Sequence, residues 1–194
     1  MRGFEQIPWL YDASMALFER GRLSRWRDWL AGGARGRVLE IGGGTGRNLT
    51  RYAPGTALVA VDPNAENLGR ARRRGPGVPL VQARAEALPF RDGAFDTVVT
   101  SLVLCSVDDP PRALAELRRV LAPAGSLRAL EHVRARGAAW GRLQDALQPA
   151  WTAMTGGCHP NRDTEAAVEA AGFRVQEEGR RARGLMRRFS AVKR

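Results

Sequence analysis

Apolar and polar positions along this chain follow two periods, and the two periods alternate. Short apolar runs of strand length stand at 37–41, 57–61, 78–83, 95–100 and 126–132, with two more at 173–178 and 188–192. Between them, apolar residues recur at helical spacing. The first such stretch, 12–30, places Met15, Phe18, Trp26, Trp29 and Leu30 together, is interrupted near Gly21, and is closed by Gly32-Gly33. Further helices are expected from about Gly46 to just before Pro54, from the capping residue Asn64 to Arg74, and from Asp108-Asp109-Pro110-Pro111 onward. That last helix carries Leu114, Leu117, Val120 and Leu121 on one face. Two more cover 138–154, with a bend at Pro149, and 161–171, ending at Gly172. Seven strands alternating with helices imply an α/β fold: a mostly parallel seven-stranded sheet with helices on both faces. There are no repeats and no low-complexity linker, so 1–194 reads as one domain.

The first strand runs straight into Gly42-Gly43-Gly44-Thr45-Gly46. Glycines here let the backbone turn tightly and approach a ligand. A dinucleotide site favours G-x-G-x-x-G, yet Arg47 stands where its last glycine belongs. Glu40 lies immediately before the turn, and its carboxylate would repel a pyrophosphate. It suits a ligand with a free α-ammonium group and no phosphate, which describes S-adenosylmethionine (SAM). Asp62, at the tip of the second strand, is placed to accept hydrogen bonds from ribose hydroxyls.

With these residues in view, the chain resembles a Rossmann-like class I methyltransferase from about Val38 to Leu130, close to the ubiquinone/menaquinone-biosynthesis type. The resemblance implies SAM as cofactor and S-adenosylhomocysteine as its product. It places Gly42, Gly44 and Gly46 under the methionine moiety with Asn48 beside them, and Asp62 and Pro63 at the ribose. Ala85-Glu86-Ala87-Leu88-Pro89-Phe90 resembles the family segment that lies along the adenine, through Ala85 and Glu86. Ser101-Leu102-Val103 resembles the stretch that lines the cofactor and acceptor pocket. Arg84 departs from the family, which often has an aspartate there, so adenine recognition is expected to rest on backbone groups at Ala85. Leu121-x-Pro123-x-Gly125 matches the family's turn before the fifth strand.

The second half resembles two narrower groups, thiol S-methylating enzymes that act at membranes and bacterial phospholipid N-methyltransferase-like proteins. The residues that carry this are 102–107, Glu131-His132-Val133, Pro149-Ala150-Trp151 and Gly157-Cys158-His159 with Asn161-Arg162. The expectation is in-line methyl transfer to a small, lipophilic acceptor, a thiol or an amine. His159, Glu131 and His132 are the candidate catalytic groups, and Tyr11, Trp151 and Cys158 the candidate acceptor-pocket residues. Residues 1–34 and 137–162 are the candidate lids over a core at 35–194.

Composition alters this picture in three places. The net charge of +11 comes almost wholly from arginine, since Lys193 is the only lysine. A basic surface suits nucleic acid, anionic lipid or an acidic substrate, but the arginines are spread along the chain. Base-methylating enzymes of this fold carry an N/D-P-P-Y/F segment where this chain has Thr100-Ser101-Leu102-Val103, which argues against nucleic acid. Phe18, Trp26 and Trp29 with Arg20, Arg22, Arg25 and Arg27 compose a helix suited to peripheral contact with an anionic membrane. The two cysteines, Cys105 and Cys158, lie far apart and outside any C-x-x-C spacing, so the sequence implies neither a disulfide framework nor a metal cluster. No apolar run approaches the ~20 residues of a membrane span and no signal-peptide pattern opens the chain, so a cytoplasmic location is expected.

Overall fold

The structure, a computed structural model, describes residues 3, 7–10, 12, 13 and 21–194. Tyr11, Met15, Phe18 and Arg20 lie outside the described residues. Among those described, helix α1 spans Arg22–Gly32, followed by β1 (Arg37–Ile41), β2 (Ala57–Asp62), α2 (Ala65–Arg74), β3 (Leu80–Gln82) and β4 (Phe95–Ser101). Then come α3 (Pro110–Val120), β5 (Leu121–His132), α4 (Ala138–Thr155), α5 (Thr164–Ala170), β6 (Phe173–Arg183) and β7 (Met186–Lys193). The seven strands form one sheet in the order β3-β2-β1-β4-β5-β7-β6. The first five run parallel to one another; β7 pairs antiparallel with both β5 and β6.

The central strands bury both faces, and the period of two divides their side chains between two cores. Leu39, Ile41, Val61, Val98, Leu127 and Ala129 turn to the side covered by α3 and α5, where Leu114, Leu117 and Val168 meet them. Val38, Leu58, Ala60, Val99 and Leu130 turn to the other side, against Trp26, Leu30 and Ala71 from α1 and α2. Each fully buried leucine contributes about 1.5–3 kcal/mol of transfer free energy. Helix starts are fixed by short polar side chains: Asn64 accepts from Glu66 N at 2.8 Å, and Asp109 from Arg112 N at 3.0 Å.

Three local expectations change. No α-helix forms from Gly46 toward Pro54; that stretch holds a single 3₁₀ turn, Leu49–Arg51. Gly46 sits at φ 85°, outside the helical region, and Asn48 is tied down on both sides, donating to Glu40 and accepting from Arg27. A helix would carry Asn48 away from both partners, and Pro54 leaves too few residues to repay the loss. The expected turn at Pro123-Ala124-Gly125 lies inside β5 as a break in register, with Phe95 opposite Leu121 but Thr97 opposite Ser126. Finally, α5 starts at Thr164 rather than 161, because Asp163 supplies the cap to Ala166 N at 3.2 Å.

Helix α1 begins after Gly21, which sits at φ 101°, and stops just before Gly33. It packs on the sheet rather than over its end, so as far as 21–34 are concerned the first lid is a piece of the core. Trp26 is buried, and Trp29 stacks with Arg128 4.0 Å from its ring centre and Arg188 at 4.8 Å. Arg27 is buried as well. Along the described part of α1, Trp26 and Arg27 are thus turned inward and Trp29 is half-buried, while Arg22 and Arg25 stay exposed. Exposed large apolar side chains cluster on α4, at Trp140, Leu143, Leu147, Trp151 and Met154, and stand also at Trp9 and Leu185. Among the described residues, no helix is long and apolar enough to cross a membrane.

Candidate active site

A cleft of about 780 Å³ opens at the carboxyl ends of β1, β2 and β4. This is the place where strand order reverses between β1 and β4, the usual ligand position in an open α/β sheet. Its volume falls in the ordinary range for small-molecule sites.

The loop after β1 forms one wall through Gly42 and Gly44. Gly42 adopts φ 62°, and a Cβ there would lie 2.4 Å from Val103 Cγ2, so only glycine lets the loop and the β4 end meet. Gly46 is required for a different reason. Its Cβ would come 2.8 Å from Ala71 Cα of α2, and it does not line the cleft.

Asp62 closes β2 and faces the cleft while only 5% exposed. Its Oδ2 accepts from Gly44 N at 2.8 Å; its Oδ1 accepts from Asn64 N at 2.9 Å and from Asn67 Nδ2 at 3.1 Å. One carboxylate thus ties the glycine loop to the start of α2. Burial raises its pKa, and these hydrogen bonds work against that rise. Pro63, Ala85, Glu86, Ser101 and Leu102 also line the cleft. Leu102 is the non-glycine residue with positive φ among those described, at 61°, held by donation from its N–H to Leu130 O at 2.7 Å.

Glu40 and Asn48 stand behind this wall rather than in it. Glu40 is 1% exposed, and its Oε1 accepts from Asn48 Nδ2 at 2.8 Å. Burial pushes its pKa up to about 7, while the hydrogen bond from Asn48 and the charge of Arg27 pull the other way. Arg27 reaches in from α1, donating to Asn48 Oδ1 at 2.8 Å and to Ser101 Oγ at 3.0 Å. The charge of the cleft itself is opposite to that of the whole chain. Among the described residues, Asp62, Glu66, Glu86 and Asp108 line it, against Arg84 alone among cations, and Arg84 is paired with Asp108 and Glu86.

At the far end, Ser106, Gly156, Gly157 and Cys158 form the wall. The candidate catalytic groups fall outside it. Glu131 is fully buried and accepts from Val103 N at 3.0 Å, which holds the end of β4. It is built in behind the cleft and is not placed as a base within it. His159 donates from Nδ1 to Gly157 O at 2.7 Å, and its backbone N–H donates to Cys105 O at 2.7 Å, so it pins the loop. Trp151 lies on α4 and does not line the cleft, though its indole bears on the Cys158 thiol. His132 meets the two cysteines instead: Cys158 Sγ lies 3.6 Å from its Nδ1, Cys105 Sγ 3.8 Å from it, and the two sulfurs 3.8 Å apart. Cys158 is lowered by its contacts with Cys105 and His132, while Cys105 is raised by sharing with Cys158 and by burial. Sequence spacing missed this cluster because its members come from three segments, after β4, at the end of β5 and after α4.

Burial of Glu131 holds its pKa at about 7, against 4.5 ordinarily. The folded state binds this proton more tightly than the unfolded chain, so the contribution to stability is full below pH 4.5 and is lost as pH rises through about 7. Glu131→Gln keeps an acceptor for Val103 N and removes the titration. The variant is expected to gain about 2 kcal/mol relative to wild type between pH 5 and pH 8 in urea unfolding. An unchanged difference between the two pH values would contradict this burial.

A sheet in this order, with an acidic ligand cleft at the β1/β4 switch point and a glycine loop cross-linked to the acid ending β2, defines a class I SAM-dependent methyltransferase. Residues 39–129 match the family described as methyltransferase domain. Human thiol S-methyltransferase TMT1A is 33% identical over 172 residues, 84% of this chain and 70% of that protein. Demethylmenaquinone methyltransferase of Renibacterium salmoninarum is 36% identical over 129 residues, 64% of this chain and 54% of its own. The chain therefore spans about two thirds or less of the length of such relatives. A solved structure from Thermotoga maritima, described as a SAM-dependent methyltransferase and possible histamine N-methyltransferase, superposes with a TM-score of 0.76 at 25% identity, covering 98% of both chains. The chain belongs to the SAM-dependent methyltransferase family and uses SAM as its cofactor. A ligand bearing a sulfonium and an ammonium group fits a cleft with four carboxylates in its lining.

Proposed function

We propose that the enzyme transfers the SAM methyl group by in-line displacement to the sulfur of a small, lipophilic thiol. The observation that carries the acceptor is the extent of the likeness to thiol S-methyltransferase. A match over 84% of the chain cannot stop at the cofactor half, so it includes part of the acceptor side beyond residue 129. A small molecule is favoured over nucleic acid because the carboxylates of the cleft would repel phosphates.

In this reading Gly42 and Gly44 lie under the methionine part, and Asp62 and Pro63 hold the ribose. Ala85 and Glu86 run along the adenine, with Ser101 and Leu102 beside the methyl-bearing end. Glu40, Asn48 and Gly46 act from behind, keeping the loop in shape. The bound cofactor supplies an activated methyl group. The protein aligns donor and acceptor and excludes water. A thiol with a pKa near ~8.5 must lose its proton to become the effective nucleophile.

The test is a matched acceptor series in which one alkyl or aryl skeleton carries a thiol, a hydroxyl or an amine, with product read by mass spectrometry. Methylation of the thiol at far higher kcat/KM than its two analogues is expected. Turnover of the amine, or of a quinol ring carbon, with the thiol inert would replace this reading.

A further inference from the structure

We propose that Cys105, His132 and Cys158 form a binding site for one zinc ion in the wall of the cofactor cleft, with a fourth position open to an incoming thiol. The three ligand atoms lie within 4.8 Å of one another. Their edges are 3.8 Å between the sulfurs, 3.6 Å from Cys158 Sγ to His132 Nδ1 and 3.8 Å from Cys105 Sγ to the same nitrogen. Tetrahedral zinc, with Zn–S about 2.3 Å and Zn–N about 2.0–2.1 Å, requires S···S edges of about 3.8 Å and S···N edges of about 3.5 Å. The triangle in the protein is thus already close to one face of that tetrahedron. Two thiolates and an imidazole are the donors zinc prefers, and three protein ligands with one vacant position is the pattern of a catalytic rather than a structural site.

The ligands are held from three directions, so the triangle is not an accident of one loose loop. Cys105 O accepts from His159 N at 2.7 Å. Cys158 O accepts from Thr152 Oγ1 at 3.1 Å and Gln148 Nε2 at 3.2 Å, and Cys158 N donates to Thr155 Oγ1 at 3.3 Å. Arg162 staples the turn between, donating to Leu104 O and Val107 O at 2.8 Å each. His132 ends β5, an interior strand, and stands opposite Met186 of β7. Such support from beyond the ligands themselves is what a functional metal site needs. The cluster reaches the cleft through Cys158, with Ser106 beside it on the lining.

The metal site stands on this geometry alone; only the identity of the fourth ligand rests on the thiol reading. On coordination the thiol gives its proton to solvent and is held as a thiolate. Its sulfur lone pair then forms the bond to the methyl carbon as that carbon's bond to the sulfonium sulfur breaks. The bonding pair stays on S-adenosylhomocysteine, and the neutral thioether product, a weaker ligand, departs. No electron enters or leaves, which suits a redox-inert ion.

Cobalt(II) replaces zinc as a coloured probe. The reduced, chelator-treated protein is titrated with Co²⁺ and then with Zn²⁺, and absorption is followed together with bound metal. One ion per chain is expected, with the visible bands of tetrahedral cobalt and a thiolate-to-cobalt charge-transfer band, all displaced by zinc. Cys105→Ser and His132→Asn should each weaken cobalt binding about 100-fold or more, while SAM binding by calorimetry persists and shows that the variants fold. Adding an acceptor thiol should intensify the charge-transfer band. Absence of any charge-transfer band in the wild-type protein, or cobalt affinity unchanged by Cys105→Ser, would overturn the site. Thiol methylation by protein that takes up no metal would refute the zinc site and leave the thiol reading standing. A cobalt spectrum that no thiol perturbs, in an enzyme that methylates only amines, would keep the metal and remove the thiol.

Discussion

Asp62→Ala is expected to weaken SAM binding by about 3 kcal/mol, from a roughly micromolar dissociation constant of about −8 kcal/mol to one above 100 μM. Two losses combine. The ribose loses charge-assisted hydrogen bonds, each worth about 1.5–3 kcal/mol. The Gly44 N–H, the Asn64 N–H and the Asn67 amide also lose their common acceptor, so the glycine loop is no longer tied to α2. Asp62→Asn should fall between wild type and alanine, because an amide oxygen retains part of the loop but donates where a carboxylate accepts. Calorimetry checks both, and equal affinity in all three proteins would show that the cofactor does not reach β2.

Arg27→Met should be the most damaging single change for stability, at about 3–5 kcal/mol, the usual cost of stranding one member of a buried charged group. For a chain of this size that is a fall in Tm of roughly 10 °C or more. The side chain bridges Asn48 and Ser101 and offsets the buried Glu40. The loss has a pH signature. Glu40 titrates at about 7 in the folded protein, and without Arg27 its pKa rises further. At pH 5 the carboxyl is protonated in both proteins and needs no cation, so the deficit should be smaller there than at pH 8. Urea unfolding at the two pH values measures it, and an equal deficit would mean that Arg27 acts by packing alone.

The residues explain why some of this could be read in advance. Val38, Leu39 and Ile41 announce a buried strand, and the glycines after it can only turn, so the β1 loop, Asp62 and the alternating fold were all legible. These features are local: a strand, its turn and the acid ending the next strand lie within 25 residues of sequence. The 3₁₀ turn after Gly46 was not legible, because it depends on Asn48 finding Glu40 and, from another helix, Arg27. Trp26 and Trp29 looked suited to a membrane by composition alone. Their partners Arg128 and Arg188 stand on β5 and β7, about a hundred residues and more away. The acidic lining of the cleft was hidden beneath a net charge of +11. The same holds for Cys105, His132 and Cys158, whose spacing matches no short motif and whose meeting is a product of sheet topology.

The most direct measurement is single-turnover transfer from SAM carrying a trideuterated methyl group, with enzyme in excess and an alkyl thiol as acceptor. One trideuteromethyl group is expected on the thiol sulfur for each S-adenosylhomocysteine released, and no label on the protein. SAM left unconsumed in the presence of thiol, or label captured on Cys105 or Cys158, would contradict direct transfer from this cleft to a thiol.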